Sequence, residues 1–330
     1  MKKTRKLSVV RSDERSITPL TGETMDGVPL SLNRAPAADL APWISRLMVA
    51  LVETPDDFET AGQLCNDAAY VRTAVEGQWA VEMQGGELPL HNETFLCGQH
   101  SHVMPLKCTG HIKVAGFMLR PGAMRHLFGA KPEAMVDRIV GMDEVGVADR
   151  ELTGLYRSDI GAEEWLLAIE CWLRDWIDKS APSRPDPISQ RLEEAAFADP
   201  NQSLADFAEA NDITLRTLQR SVKRDFGLTP KQVMRRARTL DMAARICGVA
   251  DEAEEADFLL RFFDDSHLIR EFTGFFGTTP TRFAAERNSI LTLSLEIRQS
   301  RRLETLERIA PDAVRPWMRA PFQPPLVRSA

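Results

Sequence analysis

Arg216, Gln219, Arg220 and Lys223 follow one another at spacings of three, one and three residues, so on a helix they gather on or beside one face. All four end in hydrogen-bond donors. A guanidinium can grip guanine through two bonds, a carboxamide can do the same for adenine, and an ammonium group answers a phosphate. The other side of the same segment carries Leu215, Leu218 and Val222, with Phe226 just beyond, as one apolar stripe. A helix over residues 214–225 is therefore held by its apolar side and turns donors outward, an arrangement suited to a DNA major groove. On this segment alone, an ordinary solvated helix face reads the same way.

The flanking residues supply the elements that would position this face. Thr214 suits an N-cap, Gly227 suits the left-handed residue that ends a helix, and Thr229-Pro230 suits the N-cap and first turn of the next. Upstream, Ser203-Leu204-Ala205-Asp206 is a capping-box-like start for a short helix over 204–210, with a tight turn through Asn211-Asp212. Small Ala205 and Ala208 allow the close approach that a helix corner requires. A short helix, a tight turn and a second helix with a basic outer face form a helix-turn-helix. Residues 230–247 follow as one helix with Val233, Ala237, Leu240, Ala244 and Cys247 inward and Lys231 near its start.

The pattern recurs fifty residues later. Aligning 214–230 with 264–280 gives six identities in seventeen positions: Leu218/Leu268, Arg220/Arg270, Phe226/Phe276, Gly227/Gly277, Thr229/Thr279 and Pro230/Pro280. A repeat this local predicts two copies of one supersecondary unit, the second with a helix over 264–273.

On these residues, LRTLQRSVKRDFGLTPKQVMRRAR and then DDSHLIREFTGFFGTTPTRF, the region 188–285 resembles the AraC/XylS family of bacterial transcription regulators. The resemblance implies a tandem helix-turn-helix in which Arg216, Gln219 and Arg220 read bases in one major groove. Asp265, Ser266, Ile269 and Arg270 hold the matching positions of the second unit. Thr214, Thr217, Lys223, Arg224, Lys231 and His267 are then the candidate phosphate contacts. The second unit departs from the family at Asp257 and Arg261, where a small residue and a turn glycine are usual, and Asp265 and Ile269 are poor donors. The first unit is accordingly the main expected reader of sequence, with Ser266 and Arg270 completing the base contacts.

Charge distribution agrees with that partner better than the total does. The chain carries −7 overall, yet residues 213–249 hold nine Lys or Arg against Asp225 and Asp241. Such a block is the expected footprint for double-stranded DNA. Asp251, Glu252, Glu254, Glu255 and Asp257 follow at once, either as a solvated loop or as a repulsive collar on the second unit.

At 330 residues, 43% hydrophobic and 27% charged, the chain suits two globular domains of α+β class. The expected order is a polar, disordered tail (1–35) and a β-rich sensor or dimerisation domain (36–179). A proline-rich linker (180–187), an all-α tandem helix-turn-helix domain (188–287) and an extension (288–330), helical and then disordered, complete it. Strands are expected over 69–75, 79–83 and 112–119, helices over 123–128, 132–140 and 162–178. The last bears Trp165, Ile169, Trp172, Leu173 and Trp176 as a core-facing stripe or a dimer seam. Residues 98–129 resemble, more loosely, the N-terminal domain found on some AraC-like regulators, which implies a sensor or assembly role. A small-molecule effector there, a second copy of the chain and RNA polymerase are the further partners expected, with no cofactor. No apolar run reaches a membrane-spanning length, and the basic N-terminus lacks the apolar core of a secretory signal. Five cysteines, widely spaced and odd in number, suit reduced thiols and a cytoplasmic setting.

Rival chemistry centres on the first domain. Cys97, His100, His102, Cys108 and His111 are zinc-type ligands close in sequence, though at no familiar zinc spacing, and they contain a conceivable Cys–His nucleophile pair. No Walker lysine loop, dinucleotide-binding glycine motif or H-E-x-x-H occurs. A third reading is a degenerate regulator that works through protein partners. In the extension, a helix over 288–309 would carry Ile290, Leu293 and Ile297 on one side and Arg298, Arg301, Arg302 and Arg308 among its polar positions.

Overall fold

The computed structural model describes residues 18–19, 32–247, 249, 266–285, 289–309, 311 and 322–323. The acidic stretch 251–257, Arg261, Asp264, Asp265 and most of both termini lie outside the described residues.

An antiparallel sheet of eight strands forms the N-terminal half: β1 (Leu32–Arg34), β2 (Ile44–Val52), β3 (Glu59–Leu64), β4 (Tyr70–Met83), β5 (Gly86–Leu90), β6 (Glu93–Cys97), β7 (Met104–Leu119) and β8 (Ile139–Gly141). The order is β1-β2-β7-β4-β6-β8, with β3 on the early half of β7 and β5 on the late half of β4. The two long strands each serve two sets of neighbours because they bend. Their register shifts around Glu76, next to Gly77 at a left-handed φ of 90°. A Cβ at Gly77 would stand 2.4 Å from the His111 carbonyl, so the bend requires glycine.

Strand alternation sorts the side chains onto two cores. Leu47, Val71, Phe117 and Leu119 face α1 (Ala123–Phe128) and α4 (Ala162–Ser180). Met48, Tyr70 and Met118, each one residue away, face the other side. On α4, Trp165, Ile169 and Leu173 are buried against the sheet; Trp172 and Trp176 stack at 5.5 Å, and the Trp176 indole donates to the Leu127 carbonyl at 3.0 Å. The tryptophan stripe thus closes this chain's own core.

Two expectations change here. The folded region begins earlier than residue 36: β1 pairs with β2, and buried Arg34 bonds Glu170 of α4 at 2.8 Å. The helix expected over 132–140 is only α2 (Pro132–Met135). Asp137 takes a left-handed φ of 56°, after which β-branched Ile139 and Val140 pair with β6 as β8. A short α3 (Asp149–Thr153) follows.

The C-terminal half is helical: α5 (Pro187–Ala198), α6 (Leu204–Ala210), α7 (Leu215–Phe226), α8 (Pro230–Ile246), α9 (Ser266–Phe276), α10 (Pro280–Ala285) and α11 (Ser289–Ile309). Helix α8 joins two cores. Its Val233 and Ala237 pack with Leu218, Val222 and Phe226, and its Leu240 and Ala244 pack with Leu268, Phe272 and Phe283. Among the described residues, no helix is long and apolar enough to cross a membrane.

Candidate nucleic-acid interface

Capping bonds fix the corner between α6 and α7. The Ser203 hydroxyl accepts from the amides of Ala205 and Asp206, which starts α6. Asn211 donates to the Phe207 carbonyl at 2.8 Å, and Asp212 adopts a left-handed φ of 58°, a conformation that Asp tolerates better than most residues. The chain then re-enters a helix with the Thr214 hydroxyl accepting from the Thr217 amide at 3.1 Å. Gly227, at φ 71°, ends α7, and Thr229 with Gln232 forms a capping box at the start of α8.

With α7 seated on Leu218, Val222 and Phe226 (all at most 1% exposed), the side chains of Arg216, Gln219 and Arg220 stand exposed. Among the described residues, none of these three bonds another side chain. Lys223 is exposed and bonds the Gly227 carbonyl at 2.6 Å; Lys231, at the start of α8, is also exposed. Thr214 and Thr217 share a hydroxyl contact of 3.0 Å at the helix start.

Leu215 departs from the sequence reading. It is 46% exposed and stands outside the apolar stripe, because it occupies the first turn, before the helix reaches the α5–α6 core. Arg224 departs too. Its guanidinium makes two 2.6 Å bonds to Asp225 and one of 3.0 Å to Asp186, the N-cap of α5. Asp225, almost fully buried, also accepts from Ser189 at 2.7 Å. Burial would push the Asp186 carboxyl up, but the Ile188 amide and Arg224 outweigh it and hold the group below its ordinary range.

The basic block therefore splits by direction. Arg236 turns into the N-terminal domain and donates to the carbonyls of His100 and Asp67 and to Gln99. Arg235 and Arg238 hold buried Glu271 of α9 at 3.1 and 3.2 Å. What nine cations in sequence suggested is, in three dimensions, a smaller outward group at the start of α7 and α8 plus an internal set that fixes the two units.

In the second unit, α9 is seated by Leu268 and an aromatic cluster: Phe272 lies 4.5 Å from Phe276 and 5.2 Å from Phe283, centroid to centroid. Ser266, His267 and Arg270 are exposed on its outer side; Arg270 reaches the Ser266 hydroxyl at 3.5 Å, and His267 lies 3.6 Å from Glu271. Ile269 is half-buried. Asp225 and Glu271, the struts that aim the two helices, were not singled out in the sequence. The available signal was that each is an acid on the inner side of a helix whose neighbours are basic.

The zinc-type residues are in separate surroundings. His100 is fully buried beside Asn66, and burial pulls its pKa down to about 3. His102 faces Asp137, and the His111 ring accepts from the Thr54 amide. Burial pushes the Cys97 thiol up, away from the thiolate that a nucleophile requires. Among the described residues, no group of three potential metal ligands comes together.

Residues 207–286 match the family described as Helix-turn-helix domain, and residues 33–141 match Domain of unknown function (DUF6597). No curated protein sequence matches the chain. Among solved structures, apo ToxT of Vibrio cholerae is similar, with a TM-score of 0.40 at 9% identity over 72% of this chain and 97% of that one. ToxT from the same organism with an unsaturated fatty acid bound gives 0.38 at 10% identity over 72% and 94%. The AraC-like transcriptional activator CuxR gives 0.28 at 14% identity over 64% and 86%.

Proposed function

We propose that this chain is a DNA-binding transcription regulator of the AraC/XylS type and that α7 reads bases in a major groove. Arg216, Gln219 and Arg220 are the base-reading residues, and Thr214, Thr217, Lys223 and Lys231 meet the flanking phosphates. The observation that carries this is the exposed, unpaired trio on a helix whose other side is fully buried. Ser266 and Arg270 on α9 face a second groove, with His267 at its phosphate edge. The activity is binding, and the N-terminal sheet domain takes a small-molecule effector that regulates it.

The test is binding to the upstream region of the chain's own gene and to random duplex across a salt series. Arg220→Ala should cost about 1–3 kcal/mol on the selected site and relax preference at one position. Lys223→Ala should weaken all duplexes alike and lower the salt slope by about one. Equal losses for both variants on every duplex would refute the division into readers and phosphate contacts.

A further inference from the structure

Among the described residues the exposed large apolar side chains are Phe58, Leu167, Leu215 and Ile309. Leu215 is the one on α7, and it lies where that helix starts: Thr214 caps α7 and Leu215 is its first residue. A single exposed leucine requires no explanation on an ordinary surface. This surface is not ordinary. Arg216 is next in the chain, and Gln219 stands one turn on, about 40° away around the helix axis. Both are exposed and bond no other side chain among the described residues. Leu218, Val222 and Phe226 share the side of Leu215 and are buried because they reach the core. Leu215 lies before that core begins, at the end of α7 whose residues, in a helix-turn-helix, meet base edges.

The second unit sets an apolar side chain among donors in its own way. Aligned at fifty residues, Ile269 of α9 takes the place of Gln219. Leu268, Phe272 and Phe276 seat the inner side of α9; Ser266 and Arg270 are exposed on its outer side, with Ile269 and Thr273 half-buried beside them. The Ile269 side chain neither donates nor accepts, so at a base-facing position it offers apolar surface and nothing else. The major groove presents one apolar group to such a surface, the 5-methyl of thymine. Against guanine, adenine or cytosine the same side chain covers polar groups that lose water and gain no partner, which is unfavourable. One contact thus favours thymine and penalises the other bases.

We propose that Leu215 and Ile269 are specificity-determining residues that read thymine methyl groups, one from each recognition helix. Leu215 selects a T·A pair next to the pair met by Gln219, and Ile269 selects one next to the pair met by Arg270. The donors read polar edges and these two residues read what the donors cannot. This rests on the reading of α7 and α9 as helices that enter major grooves, and it adds two residues and the chemical group that each recognises.

The test uses the full chain and the duplex it selects from a random pool. Each thymine of that duplex is replaced in turn by deoxyuridine, which keeps every hydrogen-bonding group and removes only the methyl. Burying one methyl group corresponds to about fourfold in affinity. One replacement should therefore weaken binding about fourfold at the position met by Leu215, and another at the position met by Ile269. Leu215→Ala, at an exposed site, should leave the unfolding midpoint and the salt slope unchanged. It should weaken binding to the thymine duplex and lose nothing more when the first position is deoxyuridine. Ile269→Ala should do the same at the second position, and Ile269→Val should keep the step. A residue that only supports its helix would weaken both duplexes alike and leave the fourfold step in place, which overturns the proposal for that residue. A duplex in which no thymine is sensitive to replacement overturns it for both. Arg220→Ala on the same duplexes keeps the two readings apart. Relaxed selection by that variant without any methyl effect sinks this proposal alone, whereas a chain that selects no duplex from the pool sinks base reading itself and this proposal with it.

Discussion

Replacing Arg224 with alanine separates the phosphate contact expected from sequence from the structural role that the fold gives it. As a phosphate contact, Arg224 would contribute nothing to folding and about one unit to the salt slope of DNA binding. The structure gives it three short bonds, two to an Asp225 carboxylate that is 1% exposed and one to Asp186, while its own side chain is 36% exposed. Removing one partner from a fully buried ion pair costs about 3–5 kcal/mol, whereas exposed pairs contribute roughly 0–1 kcal/mol. With one partner buried, the other a third exposed and Ser189 still donating to Asp225, about 2 kcal/mol is expected. Denaturant unfolding of Arg224→Ala against the unaltered chain measures it, and the salt series on a duplex measures the other role. Asp225→Asn in the same chain should recover part of the loss, because no charge is then left buried. Unchanged stability together with a shallower salt slope would refute the structural assignment and return Arg224 to the phosphates.

Three further outcomes follow from particular contacts. Gly227→Ala places a Cβ 2.4 Å from the Pro132 carbonyl at a left-handed φ of 71°, so it should lower stability by more than about 1 kcal/mol and loosen α7 from α2, visible as faster exchange in both. Burial pushes the Asp67 carboxyl up, but Arg301, Arg298 and Arg236 outweigh it and the folded pKa lies below the ordinary 3.8. The stability it contributes is therefore complete above that value and lost as pH falls through the folded one. Urea unfolding at descending pH should show this loss, and Asp67→Asn should flatten it. Glu271→Gln should weaken the grip of Arg235 and Arg238 on α9, lowering the unfolding midpoint and the protection of α9 while leaving that of α7 unchanged.

Local chemistry made the first helix-turn-helix legible. Ser203, Thr214, Gly227 and Thr229-Pro230 are capping residues whose bonds are made within a turn or two of the chain, so their positions follow from residue type and spacing. The stripe of Leu218, Val222 and Phe226 likewise needs no distant partner to be recognised, only the helical period. The same holds for α4, whose tryptophans mark one face whatever covers it. Leu215 fits the period equally well and is nevertheless exposed, because periodicity fixes direction around a helix and not how far along its axis the neighbouring core extends.

Direction was not legible for the cations. Arg220, Arg224 and Arg236 are chemically one residue, yet one faces outward, one closes on Asp225 and one enters the sheet domain. The same is true of α11, where Arg298, Arg301 and Arg302 read from sequence only as polar positions of a helix, with no direction assigned. They are buried because Asp67, Glu193 and Asp241 arrive from three other elements. Sequence by itself determined the capped helices, their apolar faces and the order of sheet domain before helical domain, all of which rest on contacts a few residues apart. Which charges meet solvent and which meet each other were decided by tertiary packing, since a long-range ion pair has no period and no local signature.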